Sequence, residues 1–303
     1  MLPSMILPIV LLASTIAAAA PVEHVVNKRA DDPSDTDILQ YALTLEHLEN
    51  AFYSGALSKF DVSAFQNDGF PSWVRDRFQQ IADHEASHVQ FLSTALGSSA
   101  TQACNYSFPY TDPKSFAALA GVLEGVGTAA YLGAAKYITN KDYLTAAAAV
   151  LTTETRHTAW VKSAVMHDSA WSGAFDTPLD LNAVYSLAAP FIISCPSSNP
   201  SLPVKAFPAL RVTSTPSPGK SVTFDFNSTS TGSNQMLYAA FFSGLDTLFA
   251  PLDSNKSATV PEKLVGTVYA VISTNGTVVS DDSTVAGPAI LEFRLPEMAR
   301  QTN

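Results

Sequence analysis

Two four-residue segments, Glu85-Ala86-Ser87-His88 and Glu154-Thr155-Arg156-His157, decide how the first two thirds of this chain fold. Each lies in a stretch of helical periodicity. Residues three apart lie on the same side of an α-helix, so each segment directs a carboxylate and an imidazole to one point. With 6 histidines in 303 residues, chance places a histidine three positions after a given glutamate about 2% of the time. Two such segments on separate helices therefore indicate a functional pairing.

The sequence around these segments predicts four long helices and a shorter fifth one. They begin at residues that cap or open helices: Ser34 or Asp35, Pro71, Asp112-Pro113 and Asn140. The predicted ranges are 35–58, 71–96, 113–138, 141–167 and 179–193. Connections of a few to about fifteen residues are typical of an up-and-down four-helix bundle.

The other two long helices supply single carboxylates, Glu46 or Glu49 on the first and Glu124 on the third. Only five glutamates occur between Asp35 and Ser194, and all five belong to this set. Two dications held a few ångströms apart repel each other and need carboxylates that bridge them. Glu, Glu-x-x-His, Glu and Glu-x-x-His on successive helices is the ligand pattern of ferritin-like di-iron and di-manganese carboxylate proteins. Carboxylate with imidazole suits iron or manganese, and imidazole also suits zinc or copper.

The first two helices also carry a family resemblance. The segments Tyr41-Ala-Leu-Thr-Leu-Glu-His-Leu-Glu-Asn-Ala-Phe-Tyr53 and Asp83-His-Glu-Ala-Ser-His88 resemble the ferritin-like family of fungal stress- and starvation-induced secreted proteins. That family is related to plant and bacterial desiccation-related proteins. The resemblance covers residues 35–195, roughly half of the chain. It implies the bundle fold and a di-metal site, and it brings no settled activity.

The resemblance also implies a role for each ligand. Glu85 and Glu154 would bridge the two metals, while His88 and His157 would each bind one of them. Glu46 and Glu124 would be terminal carboxylates. Glu49, one turn further along the first helix, is the alternative to Glu46 or a neighbour of the ligands.

A weak internal repeat accompanies this pattern. Tyr53 follows Glu46 by seven residues, and Tyr131 follows Glu124 by the same spacing. This predicts two helix pairs related by an approximate two-fold, each giving half of the site. The two tyrosines either lie beside the metals or are ordinary core aromatics with polar tips. His84 lies about 100° around the helix from Glu85, so we expect it to face a groove or solvent.

The last third of the chain has a different composition. Short runs rich in Val, Thr, Phe and Tyr, such as residues 221–226, 266–272 and 289–295, alternate with Asn, Gly, Pro and Ser. They predict strands of a small all-β domain, an immunoglobulin-like sandwich. The predicted fold class is therefore α+β in separate domains. The bundle spans residues 30–195, a Ser/Pro-rich linker 196–208 and the β-sandwich 209–303.

Several features predict secretion. Residues 1–20 read as a signal peptide and residues 21–29 as a short propeptide that ends at the dibasic pair Lys28-Arg29. Cys104 and Cys195 are the only cysteines, and an oxidising compartment favours their disulfide. No stretch after the signal peptide looks long and apolar enough to span a bilayer, so we expect no membrane association of the mature form. Four glycosylation sequons occur, at Asn105, Asn227, Asn255 and Asn275.

The charge and the motifs limit the function classes. A formal net charge of −10 and a pI near 4.9 disfavour nucleic acid as a partner. One hypothesis is an extracellular di-iron or di-manganese protein of oxidative or nutrient stress. Its partner would be a small oxidant or a metal ion, with catalase-like or ferroxidase-like chemistry open. The alternative is a non-enzymatic cell-surface or cell-wall protein, with the bundle as scaffold and the β-domain binding a wall polymer.

Overall fold

The computed structural model of this protein describes residues 32–227 and 235–293. Within these ranges, the residues from Pro33 onward belong to one compact unit. Its helices are α1 (Asp35–Lys59), α2 (Val62–Asn67), α3 (Ser72–Leu96), α4 (Pro113–Ala134), α5 (Lys141–Trp160) and α6 (Leu181–Ala188). Helix α1 packs along α3 and α4 packs along α5, which forms the bundle. The four long helices thus correspond to those predicted from the sequence.

Side chains just before α1, α4 and α5 bind backbone N–H groups that have no partner within a first helical turn. Ser34 accepts a hydrogen bond from the Asp37 N–H, and the Asp37 side chain accepts one from the Ser34 N–H. Asp112 and Ser115 form the same reciprocal box at the start of α4. Polar side chains therefore fix the starts of α1 and α4, the two helices that carry single carboxylates.

The ends of three helices differ from the predicted ranges. Helix α4 ends at Ala134 and continues as a 3-10 turn, Ala135–Tyr137, short of the predicted end at residue 138. Helix α5 ends at Trp160 and continues as one π-helical turn, Val161–Val165, short of the predicted end at residue 167. Helix α6 ends at Ala188, before a 3-10 turn that contains Pro190, because proline lacks the N–H that a further α-helical turn needs. The short helix α2, capped by Asp61, was not predicted.

Helix α4 is unusually apolar. By length and composition it could cross a membrane together with its following turn, Pro113–Tyr137, the one such helix in the described ranges. The expectation that no later stretch meets this criterion was wrong. However, 67% of its most apolar window is buried inside the protein. Its apolar surface is explained by packing, since α1, α5 and α6 all contact it.

A two-stranded ribbon closes one end of the bundle. Strand β1 (Asn105–Tyr106) pairs with β2 (Ile192–Ser194), and the adjacent Cys104 and Cys195 form a disulfide. The predicted disulfide is therefore present. It joins the α3–α4 connection to the end of the helical region.

Two antiparallel sheets form the β-domain in the described part of the chain. One sheet has the order β3-β4-β7 and the other has the order β6-β5-β8-β9. The strands are β3 (Leu210–Val212), β4 (Ser221–Phe226), β5 (Tyr238–Ser243), β6 (Asp246–Pro251), β7 (Ser257–Thr259), β8 (Gly266–Ser273) and β9 (Thr284–Phe293). Side chains from both sheets, including Phe224 and Phe241, share one core. The predicted β-domain is thus confirmed.

The larger sheet also packs against the bundle. Val268, Ala270 and Ile272 of β8 face the sandwich core, whereas Tyr269 packs with α4 residues and donates a hydrogen bond to the Gly125 carbonyl at 3.2 Å. Both faces of β8 are therefore covered, which explains its nearly continuous apolar sequence. The two regions of the chain share a buried interface.

The predicted linker is also attached to the bundle. The Lys205 N–H donates to Asn182 Oδ1 at 2.6 Å and the Phe207 N–H donates to Ser186 Oγ at 2.8 Å. Leu202 also packs against the cluster formed by α4 and α6. The segment 196–208 thus lies along α6 as an ordered connection.

Candidate metal centre

The carboxylates and imidazoles selected from the sequence converge between the four long helices. Helix α1 contributes Glu46, α3 contributes Glu85 and His88, α4 contributes Glu124, and α5 contributes Glu154 and His157. The carboxylates are 0–1% exposed and His157 is 5% exposed. Burial of this many ionisable groups without compensating charge is costly.

The six residues form two groups that share two members. One group is Glu46, Glu85, His88 and Glu154, and the other is Glu85, Glu124, Glu154 and His157. Within each group, one ligand atom per residue lies within 4.8 Å of all the others. Glu85 and Glu154 therefore occupy the positions from which a carboxylate can bridge two ions.

Glu85 divides its two oxygens between the two histidines. Its Oε2 lies 3.1 Å from Nδ1 of His88, and its Oε1 lies 3.3 Å from Nδ1 of His157. Nδ1 of His88 is also 3.2 Å from Glu46, and Nδ1 of His157 is 3.1 Å from Glu124. Both histidines thus direct Nδ1 at the carboxylates, which matches the approximate two-fold expected from the repeat.

The two tyrosines cross between the helix pairs. Tyr53 of α1 donates a hydrogen bond to Glu124 of α4, while Tyr131 of α4 donates one to Glu46 of α1. Each terminal carboxylate is therefore held by the tyrosine of the opposite helix. Of the two interpretations of these residues, the structure supports the one that places them beside the ligands.

Glu49 lies inside the cluster but has no counterpart in the other half. The equivalent position on α4 is Gly127, where an added Cβ would lie 3.0 Å from Glu49 Oε1 and 3.3 Å from Glu154 Oε2. The missing side chain at Gly127 makes room for the Glu49 carboxylate beside Glu154. Because Glu49 is in neither four-residue group, Glu46 is the better placed ligand on α1.

His84 makes a contact with His157 that was not predicted from the sequence. Its Nδ1 lies 2.9 Å from Nε2 of His157, and the two rings stack. Its side chain is exposed, which agrees with the expectation that His84 faces a groove or solvent. Helical periodicity places His84 away from Glu85 on α3. It does not show how close α5 comes to that side of the helix.

The pKa shifts show how crowded the negative charge is. Burial raises the pKa of Glu46 to about 7, and burial followed by the charge of Glu85 raises the pKa of Glu49 and Glu154 well above the usual range. Burial alone would also raise the pKa of Glu85, but the close imidazoles of His157 and His88 outweigh it and lower that pKa to about 2. Without a cation, the cluster must therefore hold protons on several carboxylates.

The histidines respond in the opposite direction. Burial disfavours their charged form, but hydrogen bonds to Glu46 and Glu85 raise the pKa of His88 to about 10. The hydrogen bond to Glu124 and the close carboxylate of Glu85 likewise raise the pKa of His157 to about 9. The surroundings therefore favour positive charge at each histidine position.

Several buried carboxylate oxygens have no hydrogen-bond partner, and they indicate whether this cluster fits metal ions. Both oxygens of Glu154 and Oε1 of Glu85 are buried without a hydrogen-bond partner. Glu154 Oε1 is 3.3 Å from His88 Nδ1, close enough for an ion pair but outside hydrogen-bonding geometry. Buried oxygens of this kind need a partner. A divalent cation at each group provides one, and carboxylate with imidazole is a donor set that iron and manganese accept. The residues therefore fit a di-metal site.

The other predicted sites lie away from this centre. Asn105, Asn227, Asn255 and Asn275 are all exposed, so each is placed where a glycan would fit. Lys28 and Arg29, like the whole predicted signal peptide, lie outside the described residues.

Comparison with known proteins agrees with this geometry. Residues 34–167 match the model of the family described as Ferritin-like domain, a range that contains every residue of the two ligand groups. The helical half is thus a ferritin-like bundle, followed by a β-domain.

One curated relative extends the comparison. Protein rds1 of Schizosaccharomyces pombe (strain 972 / ATCC 24843) is 29% identical over 187 residues. The similarity covers 60% of this chain and 45% of rds1. The chain therefore spans less than half the length of the curated relative that it matches.

Proposed function

We propose that this protein is a secreted ferritin-like protein that uses two iron or manganese ions in redox chemistry. The ligands are Glu46, Glu85, His88, Glu124, Glu154 and His157. The reaction partner is a small oxidant, oxygen or peroxide, or a redox-active metal ion, and the setting is oxidative or nutrient stress.

The observation that carries this proposal is the sharing of Glu85 and Glu154 between the two ligand groups. A mononuclear site would need only one group of ligands. Two groups joined by common carboxylates fit a pair of cations, because the shared carboxylates offset the repulsion between them. The buried carboxylate oxygens that lack a hydrogen-bond partner belong to these same two residues.

The protein's own groups hold and orient the ligands. Tyr53 and Tyr131 each fix one terminal carboxylate by a hydrogen bond from the opposite helix. The buried aromatic side chains Phe78 and Phe116 pack around Tyr53 and limit the access of water from that end of the bundle. Bound iron or manganese would supply reversible one-electron chemistry toward oxygen or peroxide.

Small-oxidant chemistry is favoured over iron storage in a shell. The β-sandwich covers one face of α4, and glycans at the exposed sequons would project from other surfaces. Both features obstruct the close packing of subunits that a storage cage needs. The disulfide between Cys104 and Cys195 supports an oxidising, extracellular location.

The experiment is metal analysis by mass spectrometry of the natively secreted chain and of a Glu85→Gln/Glu154→Gln variant. We expect about two iron or manganese ions per chain in the wild type and a loss of both in the variant. An Asp83→Asn/Asp142→Asn variant is the matched control, since it removes two exposed carboxylates from the same helices. Metal-loaded protein is then assayed for peroxide and oxygen consumption.

Absence of bound metal in a folded wild-type chain would contradict the proposal. The cell-surface alternative would then apply, and binding of the full chain to glucan or chitin would be the measurement to make. Equal metal content in all three proteins would show that the metal binds elsewhere.

A further inference from the structure

A cavity of about 170 Å³ lies between the bundle and the β-domain. Helices α1 and α4 form one side, and α6 with its following turn and strand β9 form the other. Its apolar walls include Leu48, Leu123, Val126, Ala188, Phe191 and Ile290.

Glu49 is the charged side chain in this lining. It is 5% exposed, and no hydrogen bond joins its carboxylate to another group within the described ranges. Its Oε1 and Glu154 Oε2 both lie against Gly127, so the two carboxylates are neighbours. The cavity therefore ends at a carboxylate that borders the metal centre.

The size of the cavity indicates what it can hold. A dry protein cavity of about 150 Å³ lined by Leu, Ile and Phe side chains is large enough to bind benzene. The apolar walls offer nothing to a hydrated inorganic ion, and they equally disfavour the charged carboxylate of an organic acid. A buried carboxylate oxygen without a partner is satisfied by a hydroxyl donor.

We propose that this cavity binds a small aromatic alcohol of the phenol class, with its ring among the apolar side chains and its hydroxyl donated to Glu49. Such a ligand lies one carboxylate away from the bridging residue Glu154. The inference deepens the proposed function and rests on it only for the role of the ligand as substrate, because binding itself does not require the metals. It also gives the β-domain a part in the site, since Ile290 of β9 closes the cavity.

The test is a titration of the full secreted chain with phenol, benzene and benzoate, followed by ligand-observed NMR. Phenol should bind most tightly, benzene about tenfold more weakly, and benzoate not at all, since a hydrogen bond to a carboxylate adds roughly this factor. Glu49→Leu removes the hydrogen-bond acceptor, so it should reduce phenol affinity toward that of benzene and leave benzene binding unchanged.

Two variants fill the cavity from two different elements of its wall, α6 and β9. Ala188→Leu on α6 and Ile290→Phe on β9 should each weaken both phenol and benzene binding at least about tenfold. Ala148→Leu, at an exposed position of α5, is the matched control and should bind like the wild type. Unchanged far-UV circular dichroism and thermal midpoint identify the cavity variants that are folded.

The outcomes separate this inference from the di-metal proposal, because metal content is measured on the same samples. Protein that contains metal but binds phenol and benzene equally, or not at all, would overturn the phenol site and leave the metal centre standing. Phenol binding that survives both cavity-filling variants would also overturn it, because the ligand would then lie elsewhere.

Discussion

His84 lies against His157, with 2.9 Å between Nδ1 of the first ring and Nε2 of the second and 10° between the ring planes. His157 directs its other nitrogen at Glu85 and Glu124. The partner of the outer nitrogen of a metal-binding histidine fixes the orientation of its ring and which nitrogen carries the proton. Burial and the charge of His157 lower the pKa of His84, which favours the neutral ring that can accept a hydrogen bond.

His84→Ala should weaken metal binding at the position of His157. Loss of such a supporting contact typically reduces metal affinity by about 10- to 100-fold. We expect the metal content after dialysis against a chelator to fall from about two ions toward one. Gln90→Ala, at another exposed position of α3, is the control. Equal retention of metal in both variants would show that the contact between the rings has no supporting role.

Tyr53→Phe and Tyr131→Phe should produce similar losses, because each hydroxyl binds one terminal carboxylate. Removal of a hydrogen bond to a charged group costs about 1.5–3 kcal/mol of unfolding free energy. Metal affinity should fall in both variants. Tyr41→Phe removes a buried hydrogen bond to the Leu181 carbonyl, away from the centre, so it should reduce stability alone. Denaturant titration and metal competition measure the two effects. A loss of affinity in Tyr41→Phe as well would point to a general loosening of the bundle.

Two glycines of α4 should respond oppositely to alanine. A Cβ at Gly133 would lie 1.7 Å from the Leu179 carbonyl oxygen, whereas one at Gly125 has no neighbour nearer than 4.0 Å. Gly133→Ala should therefore destabilise the fold by about 3 kcal/mol or more, since the backbone must move. Gly125→Ala should stabilise it by about 0.5–1 kcal/mol through helix propensity. Denaturant unfolding gives both values, and a tolerated Gly133→Ala would mean that the contact with residue 179 is looser than described.

A pH-dependent prediction concerns Asp180, which caps α6 by accepting a hydrogen bond from the Ala183 N–H. Burial raises its pKa above the ordinary value, and the charge of Asp281 raises it further. The folded state therefore binds the Asp180 proton more tightly than the unfolded state does. The stabilising effect of this proton is present in acid and is lost as pH rises through the folded pKa. Asp180→Asn keeps a good cap without the charge. It should raise the thermal midpoint by about 1–2 °C at pH 7, with a smaller difference at pH 3.

Asp112→Asn at the start of α4 is the opposite case. Hydrogen bonds from Ser115 lower the pKa of this aspartate. Its contribution to stability is therefore present at neutral pH and is lost as pH falls through the lowered pKa. The variant should be less stable than the wild type at pH 7, and the difference should shrink in acid. If both aspartate variants changed the midpoint in the same direction, the charge argument would be wrong for one of them.

The ligand set could be predicted because it depends on spacing within single helices. Glu85 and His88 share a face whatever surrounds the helix, and the same holds for Glu154 and His157. Spacing within a single helix does not predict which residues of different helices come into contact. The spacing placed Tyr53 and Tyr131 near the ligands but not the crossing of their hydrogen bonds. The contact of His84 depends on how closely α5 approaches α3.

The β-domain shows the same limit. Alternating and apolar runs predicted its strands, including the region of β8. The burial of both faces of β8, including Tyr269, results from the packing of the sheet onto α4. The sequence could not predict this, because an apolar run is equally consistent with a core strand of a sandwich that contacts no bundle. The Ser- and Pro-rich composition of residues 196–208 likewise predicted a linker and did not reveal its hydrogen bonds to α6.

The disulfide between Cys104 and Cys195 spans 91 positions of the chain and divides the metal centre topologically. The ligands of α4 and α5 lie within this covalent ring, whereas those of α1 and α3 lie on the arm that precedes it. In the chain-entropy description, closing a ring of this length raises the free energy of the unfolded chain by about 4–5 kcal/mol. A pair of metal ions coordinated by both sets would act as a second cross-link, one that fastens the arm to the ring. Chelation would therefore remove the cross-link made by the metal ions, whereas reduction would open the disulfide ring.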